Sequence, residues 1–207
     1  MRTQIDYLAD KYCFTERNES PRLRRQWQDV LEECRQTETG PEERLRIALL
    51  NVDYVTSFEL PFRLLLTRTP QLIAALREEW GISQKNAVFN DKRFGCVYSL
   101  QSTLSGVPDT YRYHLSHRIR RVVVNENTSL PYQQTAREMK APGERLKYAL
   151  ETGLQVTALD GLFWFGSQRI AADILRLGNA GMPVVTTTVE VHDNLTGTTR
   201  KVPAYHL

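Results

Sequence analysis

The sequence predicts an α+β chain, mainly helical, in which one order of helices and a hairpin occurs twice in tandem. Three observations predict it. A chain of 207 residues with 41% apolar content is long enough for one large or two small domains with real cores. The segments PEERLRIAL at 41–49 and PGERLKYAL at 142–150 agree at six of nine positions, and Val55-Thr56 falls opposite Val156-Thr157 at the same offset of 101. Finally, TALDGLFWFGSQRIAADIL at 157–175 reads as an amphipathic helix broken at Phe165-Gly166 and restarted at once.

Taken in order, the first forty residues are charged and read as a helical extension, with Ser20 as N-cap and Pro21 in the first turn of RLRRQWQDVLEECRQ. Thr39-Gly40-Pro41 ends it. Residues 41–124 form the first domain. It holds a helix at 42–50, a short helix near 57–66, and a helix opened by Thr69-Pro70 and closed by Trp80-Gly81. AVFNDKRFGCVYSL then has two β-prone runs around a polar turn, a hairpin signal. RRVVV reads as a strand, and residues 125–141, rich in turn formers, as a linker.

Residues 142–207 form the second domain. Leu146, Ala149 and Leu150 share one face of its first helix, which Gly153 ends. Thr157 with Asp160 three residues on is a capping-box arrangement. Gly166 permits a tight corner, and Ser167 caps a new helix whose Ile170, Ile174 and Leu177 face inward. VVTTTVEVH and TTRKVPAYHL make a closing hairpin.

Helix, short helix, tight turn, longer helix and hairpin is the order of a winged helix-turn-helix, so the full expectation is tandem winged helix-turn-helix domains with β-hairpin wings. Such a corner lets the second helix project toward a DNA major groove. On a helical wheel Gln168, Ala172 and Arg176 face outward, with Arg169 beside them. These residue types read base edges or hold phosphates. The expected double-stranded DNA contacts are therefore Ser167, Gln168, Arg169, Ala172 and Arg176, with Arg200 and Lys201 on the wing. HRIRR at 117–121, following Tyr111 and Tyr113, adds Arg118, Arg120 and Arg121; a strand edge protected by charge explains the same cluster.

Residues 157–207 resemble the small helix-turn-helix domain family of phage and prophage genomes. The resemblance rests on Thr157, Asp160, Gly166, Arg169-Ile170-Ala171-Ala172, Ile174, Leu177, Gly181, Val184, Thr187, Val202, Ala204-Tyr205 and Leu207, about a quarter of the chain. It implies a winged-helix fold and a phage-related, non-enzymatic regulator of transcription or replication. The chain departs from the family pattern at Asp173 and Arg176, where the order of the charges is reversed, and at Gly178, where a second arginine is usual.

The first domain has a different surface. With Leu72, Ile73 and Leu76 inward, Gln71, Ala74, Ala75 and Glu78 lie outward with no cation among them, a poor partner for phosphate. That side is expected to pair with a second subunit in a homodimer or with a host protein. The rival reading of the whole chain follows from it: a protein-binding module that captures a host replication, transcription or defence protein.

A net charge of +3 and a pI of about 8.8 allow nucleic acid as a partner without requiring it. Cys13, Cys34 and Cys96 are far apart and in no CxxC spacing, so reduced thiols are expected rather than disulfides or zinc. No run approaches the ~18 apolar residues of a membrane span, and MRTQIDYLADKYCF lacks a signal-peptide core. The expected setting is the cytoplasm of a bacterial host. His114 and His117 form HxxH without a following catalytic glutamate, and there is no P-loop, GxGxxG or GxSxG. No cofactor, metal or catalytic residue is expected.

Overall fold

Ser20 and Pro21 start the first well-defined helix for the reason the sequence suggests. Ser20 Oγ accepts the Leu23 N–H at 3.1 Å while proline fills the first turn. The protein is described here by a computed structural model covering residues 4–9, 20–89, 91–107, 119–167 and 169–207. The chain divides into two compact units. Residues 1–10, 118–194 and 198–207 make one, and residues 11–117 with 195–197 the other.

In the unit of residues 11–117, helix α1 (Pro21–Gln36) buries Leu23, Trp27, Val30 and Cys34, one stripe at helical spacing. Helix α2 (Pro41–Asn51), strand β2 (Val55–Thr56), helix α3 (Leu60–Arg63) and helix α4 (Thr69–Trp80) follow. Strands β3 (Ser83–Phe89) and β4 (Lys92–Ser99) complete a three-stranded sheet in the order β2-β4-β3. Gly81, at φ 59°, ends α4 in the left-handed conformation. Thr69 does not cap that helix. Arg68 occupies the cap, and the Thr69 hydroxyl is buried without a hydrogen-bond partner. Edge strand β3 carries Lys85, whose ammonium donates to the carbonyls of Leu104 at 3.1 Å and of Val107. A charge held at a sheet edge in this way disfavours pairing with another chain. Cys34 and Cys96 are free and buried; Cys13 lies outside the described residues.

The other unit is built on a six-stranded sheet in the order β6-β5-β1-β8-β9-β7. Its strands are β1 (Gln4–Ala9), β5 (Ile119–Val123), β6 (Glu126–Asn127), β7 (Val156–Thr157), β8 (Val185–Asp193) and β9 (Thr198–His206). Helices α5 (Leu130–Glu138), α6 (Pro142–Glu151), α7 (Ala158–Asp160) and α8 (Ile170–Asn179) accompany it, with a π-turn at Gly161–Phe165. Strand β1 is central, parallel to β8 through Ile5 opposite Val191 and antiparallel to β5 through Tyr7 opposite Arg121. Ile5, Tyr7 and Val191 are buried in a core with Tyr132, Leu146, Ala149, Leu150, Leu159, Trp164 and Phe165.

The expectation of a mainly helical pair of winged helix-turn-helix domains is overturned by this sheet. The chain is α+β, but the closing hairpin lies inside a larger sheet, flanked by β1 and β7. Residues 4–9, expected within a helical extension, are a strand, because Ile5 and Tyr7 alternate with polar residues and find β8 and β5 as neighbours. The stretch expected as a linker holds helix α5. What does recur is smaller: helix, two-residue strand, short helix, helix, hairpin, with β2 pairing β4 through Thr56 opposite Val97 and β7 pairing β9 through Thr157 opposite Ala204.

Candidate nucleic-acid interface

The helix expected to meet DNA is placed by three local devices. Thr157 Oγ1 accepts the Asp160 N–H at 3.2 Å while Asp160 Oδ2 accepts the Thr157 N–H at 2.9 Å, the reciprocal capping box. Gly161 then lets the π-turn approach α8. A Cβ there would lie 2.9 Å from Ile170 Cδ1. Gly166, at φ 73°, makes the corner.

Asp160 is fully buried and would be costly to keep charged alone. Arg121 Nε donates to its Oδ1 at 3.2 Å, and the guanidinium lies 4.9 Å from the Tyr132 ring centre. Arg121 Nη1 donates to Thr128 Oγ1 at 3.0 Å. The Tyr7 and Thr157 hydroxyls are 2.6 Å apart, and the Tyr132 hydroxyl donates to the Gln155 carbonyl at 2.6 Å. Burial raises the Asp160 pKa, opposed by Arg121 and the hydrogen bonds. Burial, and next the Asp160 charge, raises both tyrosines above the usual phenol range. This network ties β1 and β5 to the capping turn, and its burial gives it a structural role.

Helix α8 presents most of its surface. Among its described residues Ile170 alone is buried, with Ile174 and Leu177 half-buried. Arg169, Ala171, Ala172, Leu175, Arg176, Gly178 and Asn179 are exposed. At 100° per residue the centre of the outer face is Ala172, Leu175 and Asn179, with Arg169 and Arg176 along one flank. Arg176 Nη2 donates to Asp173 Oδ1 at 2.6 Å, and Ser167 Oγ donates to Asp173 Oδ2 at 2.6 Å.

The other expected contacts divide. Lys201 and Arg120 are exposed, as are Arg169, Ala172 and Arg176. Ser167 is buried and neither caps α8 nor faces outward, since its hydroxyl is taken by Asp173; Arg169 is the N-cap residue. Arg121 is 5% exposed and is engaged by Asp160. Arg200 is half-buried and paired with fully buried Asp193 at 3.0 Å. These three leave the set of surface contacts. Gln168 and Arg118 lie outside the described residues, as do His114 and His117.

Two features escaped the sequence reading. Leu175, 65% exposed, sits at the middle of the outer face of α8, although its offset from Ile170, Ile174 and Leu177 already places it there. In α4 the outward set Gln71, Ala74, Ala75 and Glu78 is exposed as expected, but so is Arg77. A wheel groups Arg77 with Ile73, four residues before it, whereas a long arginine stem carries its head out to water.

No family model, no curated protein and no solved structure matches the chain. Among the described residues no helix is long and apolar enough to cross a membrane.

Proposed function

We propose that the chain is a non-enzymatic, phage-type regulator that binds duplex DNA by placing α8 in the major groove. The observation that carries this reading is the exposure of α8, with Arg169 and Arg176 on one flank and Ala172 and Leu175 beside them. A helix about 10–12 Å across fits the roughly 12 Å B-form major groove, and the deep, narrow groove of duplex RNA admits no such element. Small apolar side chains there meet thymine methyl groups, while arginines serve guanines or phosphates. Lys201 and Arg120 are further exposed cations for the backbone.

The test is a fluorescence-polarisation titration on duplex DNA across a salt series. Binding that weakens as salt rises, and falls at least about tenfold in Arg169→Ala/Arg176→Ala, is the expected result. Unchanged affinity in the double variant removes the assignment.

A second reading has one observation in its favour. Leu175 is an exposed aliphatic at the centre of the outer face, a feature that also suits a protein partner of the host's replication, transcription or defence machinery. A stable host complex that survives nuclease treatment and is lost in Leu175→Asp, with no duplex binding by the wild type, would replace the DNA reading.

A further inference from the structure

We infer that Ser167 and Asp173 are positioning residues that hold Arg176 in place to read a guanine. The inference rests on the DNA reading above and names the base chemistry of that same helix. Its starting point is a relay of side chains across the corner: Ser167 Oγ donates to one oxygen of Asp173, and Arg176 Nη2 donates to the other, both at 2.6 Å.

The two ends of this relay differ in exposure. Ser167 is buried and the Asp173 side chain is 18% exposed, whereas the Arg176 side chain is 74% exposed. A carboxylate fixed from within thus grips a guanidinium that faces solvent. An ordinary exposed i, i+3 pair has two mobile partners and contributes little. Here one partner is anchored, so the arginine gives up rotamer freedom before any ligand arrives.

Such an arginine is poorly made for phosphate and well made for a base edge. Phosphate attraction depends on net positive charge and tolerates a mobile side chain, and a neighbouring carboxylate cancels the charge and repels the backbone. Guanine recognition depends on two parallel N–H groups aimed at O6 and N7. Of the five guanidinium N–H groups one serves Asp173, which leaves a pair for the base. Lys201, exposed on β9, remains the better phosphate contact.

Selection of bound sequences from a random duplex pool, followed by polarisation on the selected duplex and its single-base variants, tests the inference. The wild type is expected to prefer G at one position by about tenfold or more, and Arg176→Ala to abolish that preference. Asp173→Ala and Ser167→Ala should each cut the preference at that position to about a third or less. Asp173→Ala, having lost a negative charge, should at the same time hold non-selected duplex at least as tightly as the wild type. A structural role alone would weaken all duplexes equally and leave the preference intact. That result in either variant, or the lack of any G-dependent position sensitive to Arg176→Ala, overturns the inference. A wild type that retains no duplex overturns the DNA reading itself.

Discussion

The two copies of the repeated element solve one problem in different ways. Each hands a two-residue strand to a short helix through a threonine and a carboxylate three residues on, Thr56 with Glu59 and Thr157 with Asp160. Each carboxylate is buried and takes an arginine that lies over an aromatic ring from the helix preceding the copy. In the first copy that is Arg63, 2.7 Å from Glu59 and 4.7 Å from the Trp27 ring centre. In the second it is Arg121, 3.2 Å from Asp160 and over Tyr132. Arg63 comes from the same short helix, four residues on. At the offset of 101 its place in the second copy is taken by Trp164, which packs 5.3 Å from Tyr132. A tryptophan there fills the aromatic core but leaves the carboxylate without a local cation, and β5, a strand outside the repeated element, supplies it. The demand of a buried charge is thus fixed by the cap, while the source of its partner is free to move.

The largest expected effect breaks that non-local pair. Arg121→Ala leaves Asp160 buried and uncompensated and should cost about 3–5 kcal/mol in urea denaturation. Arg63→Ala should cost less, about 1–3 kcal/mol, because the Arg63 side chain is 14% exposed and water can reach Glu59 in its place. Equal losses would show that the origin of the cation is immaterial.

The next effect is alkaline. Tyr7 and Tyr132, packed around the second copy's carboxylate, are raised above 10.0, and Tyr98 in the first copy is raised to about 12, in each case chiefly by burial. Above pH 10 the unfolded chain releases these protons while the folded chain keeps them. Stability therefore falls as pH rises, by up to about 1.4 kcal/mol per pH unit for each tyrosine. Tyr7→Phe should flatten this limb, as read from denaturation midpoints between pH 9.5 and 11. An unchanged slope would exclude Tyr7 as a contributor.

A smaller change is expected from Gly161→Ala, at a position where the first copy has Leu60. The new methyl presses on the end of the Ile170 side chain, and a loss of about 1 kcal/mol should follow, visible as a lowered thermal midpoint. The smallest effect compares Arg46 with Lys147, the same place in the two copies. Both pair with glutamates at i, i±4, Lys147 on an exposed face and Arg46 half-buried over the Trp80 ring. A double-mutant cycle should give for each pair a coupling smaller than any of the losses above.

The parts legible in the sequence are those whose cause is local. The Ser20 cap, the Thr157–Asp160 box and the Gly166 corner involve residues within a few positions of each other, and the repeat shows as one short pattern written twice, 101 residues apart. The Arg44 side chain, by contrast, donates to Thr39 O and, 20 residues on, to Leu64 O, as Arg145 does to Met139 O and Phe165 O, and no local pattern announces these bonds. The six-stranded sheet was not legible, because β1 is six residues long and its parallel partner β8 lies near the other end of the chain. Arg121 was misjudged for the same reason. Its basic neighbours suggest a surface, and nothing near it in sequence announces a buried aspartate 39 residues away.

Strand β1 has one more consequence, for the order in which the molecule is made. It is made well before its neighbour, since Val191, opposite Ile5, lies 186 residues further along the chain. Until then the middle of the sheet is missing, and the core that Ile5 and Tyr7 complete stays open. This unit therefore closes only once β8 has been made, a non-local pairing that β1 must await.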